Sequence, residues 1–128
     1  MKIFMYLMVF LFISCNTIRE DEIYGKYVPI SYKNNFDTLT IYKNNEYKRT
    51  VYDKNKKLLL HYKSTYRLDK SDLIKFDDFY LNLDRDLINM PEDVKDTDMS
   101  MTTSFEKKDK DIIICFGYHI GENCYRKL

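Results

Sequence analysis

The chain has 128 residues, 21 basic and 20 acidic, and its 12 Tyr and 8 Phe stand beside a complete absence of Ala, Gln and Trp. One domain fits this length, a charge balance near zero argues against a nucleic-acid binder, and 45% apolar residues exclude a disordered tail. Missing Ala with heavy use of Tyr, Ile, Thr and Phe disfavours a helical bundle and favours strands. Composition names no molecular function.

Residues 1–14 open with Met-Lys, continue as an apolar run from Ile3 to Ile13, and end on Ser14 before Cys15. One positive charge, an apolar stretch and a small residue form a secretory signal peptide. The run is too short to span a bilayer, which takes about 20 apolar residues. Its last residues, Phe12-Ile13-Ser14-Cys15, resemble the lipobox of bacterial lipoproteins, with Phe where that family usually has Leu. The resemblance implies that Cys15 becomes the new N-terminus and carries a thioether-linked diacylglycerol, usually with an N-acyl chain. Each buried methylene contributes about 0.8 kcal/mol, so two or three chains anchor a protein stably. Removal of residues 1–14 takes away only Lys2 among the charges, leaving 20 basic and 20 acidic residues.

Residues 15–23 read as a polar tether without apolar periodicity. Within it, Arg19-Glu20-Asp21-Glu22 resembles the short acidic export signal of Bacteroidota-type lipoproteins. That resemblance implies the cell envelope, with the protein lipid-anchored in the outer membrane, surface-exposed or facing the periplasm. In such an oxidising compartment Cys115 and Cys124 form an even pair, and a disulfide between consecutive strands is expected. Two free thiols or a metal pair are the alternatives.

From Tyr24 to Leu128, clusters of Asn, Asp, Lys and Gly punctuate the chain every 8–12 residues, the spacing of an all-β domain. Residues 24–33 form a first strand, with Pro29 at an edge or bulge. Strands over 37–42 and 47–52 flank a hairpin turn. A three-residue loop, Lys43-Asn44-Asn45 with Asn45 left-handed, pairs Tyr42 with Glu46 and Ile41 with Tyr47. It places Leu39, Ile41, Tyr47 and Val51 on one face. Residues 57–63 and 65–68 form two strands or one long bent strand. Next come 73–76 and 79–83, separated by Asp77-Asp78 as a bulge or tight turn. Residues 84–98 form an irregular stretch with room for one helical turn near Pro91. Strands over 99–106, 111–118 and 123–127 complete the domain. Eight or nine antiparallel strands in a meander must close as a barrel or fold as a sandwich to protect their edges.

Gly25-Lys26-Tyr27 is similar to the Gly-x-Trp that opens lipocalin-type barrels, with Tyr in place of Trp. Arg126 falls in the last strand, where that family sets an arginine over the aromatic ring. The resemblance implies a barrel with one open end, no catalytic activity, and closure by Arg126 stacked on Tyr27 with Val28 and Ile30 shielded beneath.

The chemical inventory is sparse. His61 is read as an ordinary strand histidine, and Cys115, His119 and Cys124 lack an evident fourth ligand for structural zinc. Asp77-Asp78, Asp84, Asp86, Asp93, Asp96 and Asp98 match no calcium loop and read as solvated charges. No P-loop, nucleophile elbow, dinucleotide fingerprint or H-E-x-x-H occurs. No enzyme, metal or cofactor is therefore expected. Tyr42, Tyr52, Tyr62, Tyr66 and Tyr80 cannot all share the core face, so some should line the exterior or a mouth. The expectation is a lipid-anchored, non-catalytic protein-binding or accessory module. The alternative is a carrier of a small apolar ligand, which needs an apolar cavity of about 300 Å³ or more.

Overall fold

The computed structural model describes residues 17–30, 36–79, 100–117 and 123–128. Cys15, Tyr80, Pro91 and His119, the acids at 84, 86, 93, 96 and 98, and most of the strand expected over 79–83 lie outside these residues. A single helical turn, α1 (Glu20–Ile23), precedes eight strands: β1 (Gly25–Pro29), β2 (Phe36–Ile41), β3 (Glu46–Tyr52), β4 (Leu58–Leu68), β5 (Leu73–Phe76), β6 (Met101–Lys108), β7 (Asp111–Cys115) and β8 (Cys124–Lys127). Each pairs antiparallel with the next, and β1 pairs with β8, so the meander closes as a barrel. Closure removes every sheet edge, which an open sheet of this length would leave unpaired.

The turns follow from residues that tolerate positive φ. Asn45 at φ 62° ends the β2–β3 loop, and Ile41 faces Tyr47 as the loop length requires. Asp53 bonds the turn between β3 and β4 through its carboxylate, which accepts from the backbone N–H of Asn55 (2.8 Å) and Lys57 (2.9 Å). β4 is one long strand whose first part pairs with β3 and whose end, Tyr66 to Leu68, pairs with β5. Pro29 sits at the last position of β1, beyond the register with β2, where its missing N–H costs no bond on that side.

Inward residues alternate with outward ones. Tyr27, Leu39, Ile41, Tyr47, Tyr66, Ile74, Phe76, Phe105, Ile114, Phe116 and Tyr125 form one buried cluster. Its rings interlock: Phe79 stacks on Phe116 at 4.3 Å, and Tyr47 meets Phe76 edge-on at 5.0 Å.

Residues 18–23 are not part of the free tether expected over 15–23. Ile18 and Ile23 are buried in the core cluster, and α1 folds over one end of the barrel. Arg19 donates its backbone N–H to Glu22, Tyr27 donates its hydroxyl to the Ile23 carbonyl (2.6 Å), and Lys107 pairs with Glu22 at 2.9 Å. Lys127 bonds the Glu22 carbonyl, its aliphatic chain passing where a Cβ on Gly25 (φ 138°) would stand. That close approach and the positive φ are why glycine opens β1.

Candidate functional site

The expected Tyr27–Arg126 stack is not formed. The strands meet, but Arg126 lies opposite Val28 while Tyr27 lies opposite Lys127. Alternation then turns Tyr27 inward and Arg126 outward, toward Asp111 at 4.0 Å. Val28 and Ile30 share the outward parity, and Ile30 is 53% exposed rather than shielded. The end of the barrel is bound instead by Lys127, one residue further along β8.

A buried cation over aromatic rings does exist, deeper inside and from a different strand. Arg49 of β3 is 2% exposed, lies 5.3 Å from the Phe79 ring centre and 5.9 Å from that of Tyr125, and ion-pairs with buried Asp37 of β2. Asp37 accepts from Arg49 Nη2 (2.7 Å), Arg49 Nε (3.2 Å) and the Tyr125 hydroxyl (2.6 Å). Its oxygens are committed to these donors and its charge to the guanidinium, so it is poorly placed to act as a base. The other buried hydroxyls are also engaged: Tyr47 donates to the Asp77 carbonyl at 2.9 Å, and Tyr66 to the Tyr42 carbonyl. Burial pushes the Tyr27 and Tyr47 phenols well above the ordinary tyrosine range. No buried side-chain polar atom among the described residues lacks a partner. Among the described residues, the charges and hydroxyls of the interior are satisfied within the barrel.

Cys115 and Cys124 stand directly opposite each other on β7 and β8 and form a disulfide with Cα atoms 4.0 Å apart. With both sulfurs in that bond, neither is available as a thiolate ligand or nucleophile, which disposes of a zinc site built on them. His61 is exposed beside the Thr50 hydroxyl at 3.4 Å. Asp77 is engaged by Thr65 and Arg67, and Asp78 by Ser64. No group of three or more potential metal ligands occurs among the described residues.

The outer face of β2, β3 and β4 is different in kind. Phe36, Tyr52 and Leu58 are direct cross-strand neighbours and form one apolar row, 63%, 40% and 49% exposed. A shallow cleft of about 250 Å³ opens between Phe36, Tyr52 and Lys56. A bulge produces this row: Val51 pairs with Leu60 and Tyr52 with Leu58, so Leu59 is an extra residue. The bulge turns Leu58 outward while Leu60 stays buried. The next row is Thr38, Thr50 and His61, and the one after it Thr40, Lys48 and Lys63. Tyr42 is also exposed, Tyr62 half-buried and Tyr66 buried, so the tyrosines divide between core and surface as their number required.

Sequence reasoning missed both the Asp37–Arg49 pair and the Phe36–Tyr52–Leu58 row. A signal for the first was present. The same parity that sets Leu39, Ile41, Tyr47 and Val51 inward also sets Asp37 and Arg49 inward, with opposite charges. The second depends on the bulge at Leu59, which has no such signal.

No protein-family model matches this chain, and no curated protein or solved structure is significantly similar to it.

Proposed function

We propose that this protein is an exported lipoprotein, anchored in the outer membrane through acylated Cys15, whose β-barrel is a non-catalytic protein-binding or accessory module. The observation that carries the binding part is the exposed row Phe36–Tyr52–Leu58. Large apolar side chains, including an aromatic ring with a polar tip, are grouped in the solvent where folding gives no reason for them. Among the described residues, aromatic rings and the Asp37–Arg49 pair fill much of the interior, which weighs against the carrier reading. The signal segment and lipobox-like Phe12–Cys15 carry the anchoring part.

Two measurements test the proposal. Metabolic palmitate labelling is expected to mark the wild type and not Cys15→Ser, and equal labelling of both overturns the anchor. Native mass spectrometry of the chain purified from membranes is expected to show the acylated polypeptide alone. A small apolar ligand retained at one per chain transfers support to the carrier reading.

A further inference from the structure

We infer that the outer face of β2, β3 and β4 docks an acidic polypeptide segment through an apolar anchor, at the end of the barrel directed away from the bilayer. This deepens the binding-module reading and rests on it. The face has a defined layout. Its apolar row, Phe36–Tyr52–Leu58, adjoins the turn that carries Lys54, Lys56 and Lys57, all exposed. Beyond the neutral row, Lys48 and Lys63 stand directly opposite each other. Like charges facing across a ladder are destabilising, and Glu46, 2.9 Å from Lys63, partly relieves this pair. The described acids of the face are each hydrogen-bonded, Asp53 to the backbone of its own turn, Glu46 to Lys63 and Asn44, and Asp77 to Thr65 and Arg67. A chain balanced to within one charge overall thus sets five lysines, Lys48, Lys54, Lys56, Lys57 and Lys63, against Glu46 and Asp53 around an apolar row on one face. The complement of that surface is a segment with carboxylates flanking a large apolar or aromatic side chain.

The orientation follows from chain geometry. Ile18 is packed into the barrel beside the turns that follow β4 and β6, where Thr17, Lys70, Asp72, Phe105 and Lys108 line a cleft of about 640 Å³. Cys15 precedes Ile18 by three residues, so an acylated Cys15 holds that end within about 10 Å of the lipid. Phe36 and Tyr52 lie at the other end of β2 and β3, about 17 Å further along the strands. The basic apolar face is therefore presented to the surroundings and not to the anchoring membrane.

The test uses the mature acylated chain, beginning at Cys15, in detergent, with a fluorescent random copolymer of Glu and Tyr as probe and binding read by anisotropy. Tight binding that weakens with salt is expected, together with weaker binding of poly-Glu and none of a Lys–Tyr copolymer. Tyr52→Ser and Phe36→Ser are each expected to weaken binding by about tenfold, and the combined Lys54→Glu, Lys56→Glu and Lys57→Glu variant to abolish it. Unchanged melting of these variants shows that the fold is intact, since every substituted side chain is exposed. Binding of the copolymer equal to wild type in all variants overturns the inference. So does binding of phosphatidylglycerol vesicles, but not the copolymer, through the same residues, which would make the face a lipid contact. Palmitate labelling reads acylation at Cys15 without reference to this face, so failed docking and failed acylation are read separately.

Discussion

Along β3, Tyr47, Arg49 and Val51 face the barrel interior while Lys48, Thr50 and Tyr52 face outward. Hydropathy alone would exchange two of these residues, sending Arg49 to solvent and Tyr52 to the core. Parity places Arg49 inside, and it is stable there because Asp37 supplies the opposite charge, Tyr125 a further donor to that carboxylate, and Phe79 an aromatic face. Tyr52 is outside because the β3–β4 turn and the Leu59 bulge put it in a row with Phe36 and Leu58. The inner row is fixed by mutual satisfaction of buried groups. The outer row faces solvent, with Thr50 beside His61 and Tyr52 between Phe36 and Leu58.

The comparison breaks most visibly if Arg49 is truncated. Arg49→Met strands the buried Asp37 carboxylate and should cost about 3–5 kcal/mol in urea denaturation, whereas Lys48→Met one position away should stay within about 0.5 kcal/mol. Arg49→Met with Asp37→Leu removes both charges together and should be less destabilised than either single substitution. A double variant as unstable as the sum would show that the pair contributes as two independent sites.

The disulfide also lies on the outward side of its strands, since Cys115 and Cys124 share the parity of Arg126, although Cys124 is buried. It closes a short loop, at a sequence separation of 9. Reduction, or Cys115→Ser with Cys124→Ser, should lower stability by about 2–3 kcal/mol, read as a shift in the urea midpoint. No shift would mean that β8 is held by its ladder and by Tyr125 alone.

The smallest effect should appear at α1. Backbone donation from Arg19 and the Lys107 ammonium hold the Glu22 carboxyl below its usual value of 4.5. A lowered folded pKa means that this contribution is complete above that value and is lost as pH falls through the lower folded one. The melting temperature should therefore decline below about pH 5 in part through Glu22, and Glu22→Gln should flatten that decline. Identical profiles for wild type and Glu22→Gln would remove Glu22 from the acid response.

Much of this architecture was legible in advance because strand signals are local. The Asn45 turn, the Ile41–Tyr47 register and the inward set Leu39, Ile41, Tyr47 and Val51 all follow from residues within one hairpin. The facing cysteines followed from consecutive strands. The Tyr27–Arg126 stack failed by a single residue on β8, because a one-step slip in register reverses every side chain.

By itself, then, the sequence determined the all-β class and, among the described residues, the order and approximate extent of the strands and the turns between them, since periodicity and turn chemistry act over a few residues. Only the tertiary structure decided in which register β1 and β8 meet, that Arg49 reaches Asp37 beneath Tyr125, that Ile18 and Ile23 pack against the barrel, and that a bulge aligns Phe36, Tyr52 and Leu58 outside. Those outcomes depend on pairings between distant parts of the chain and on one-residue register choices, where the competing arrangements keep the same local pattern and differ only in what each side chain meets after closure.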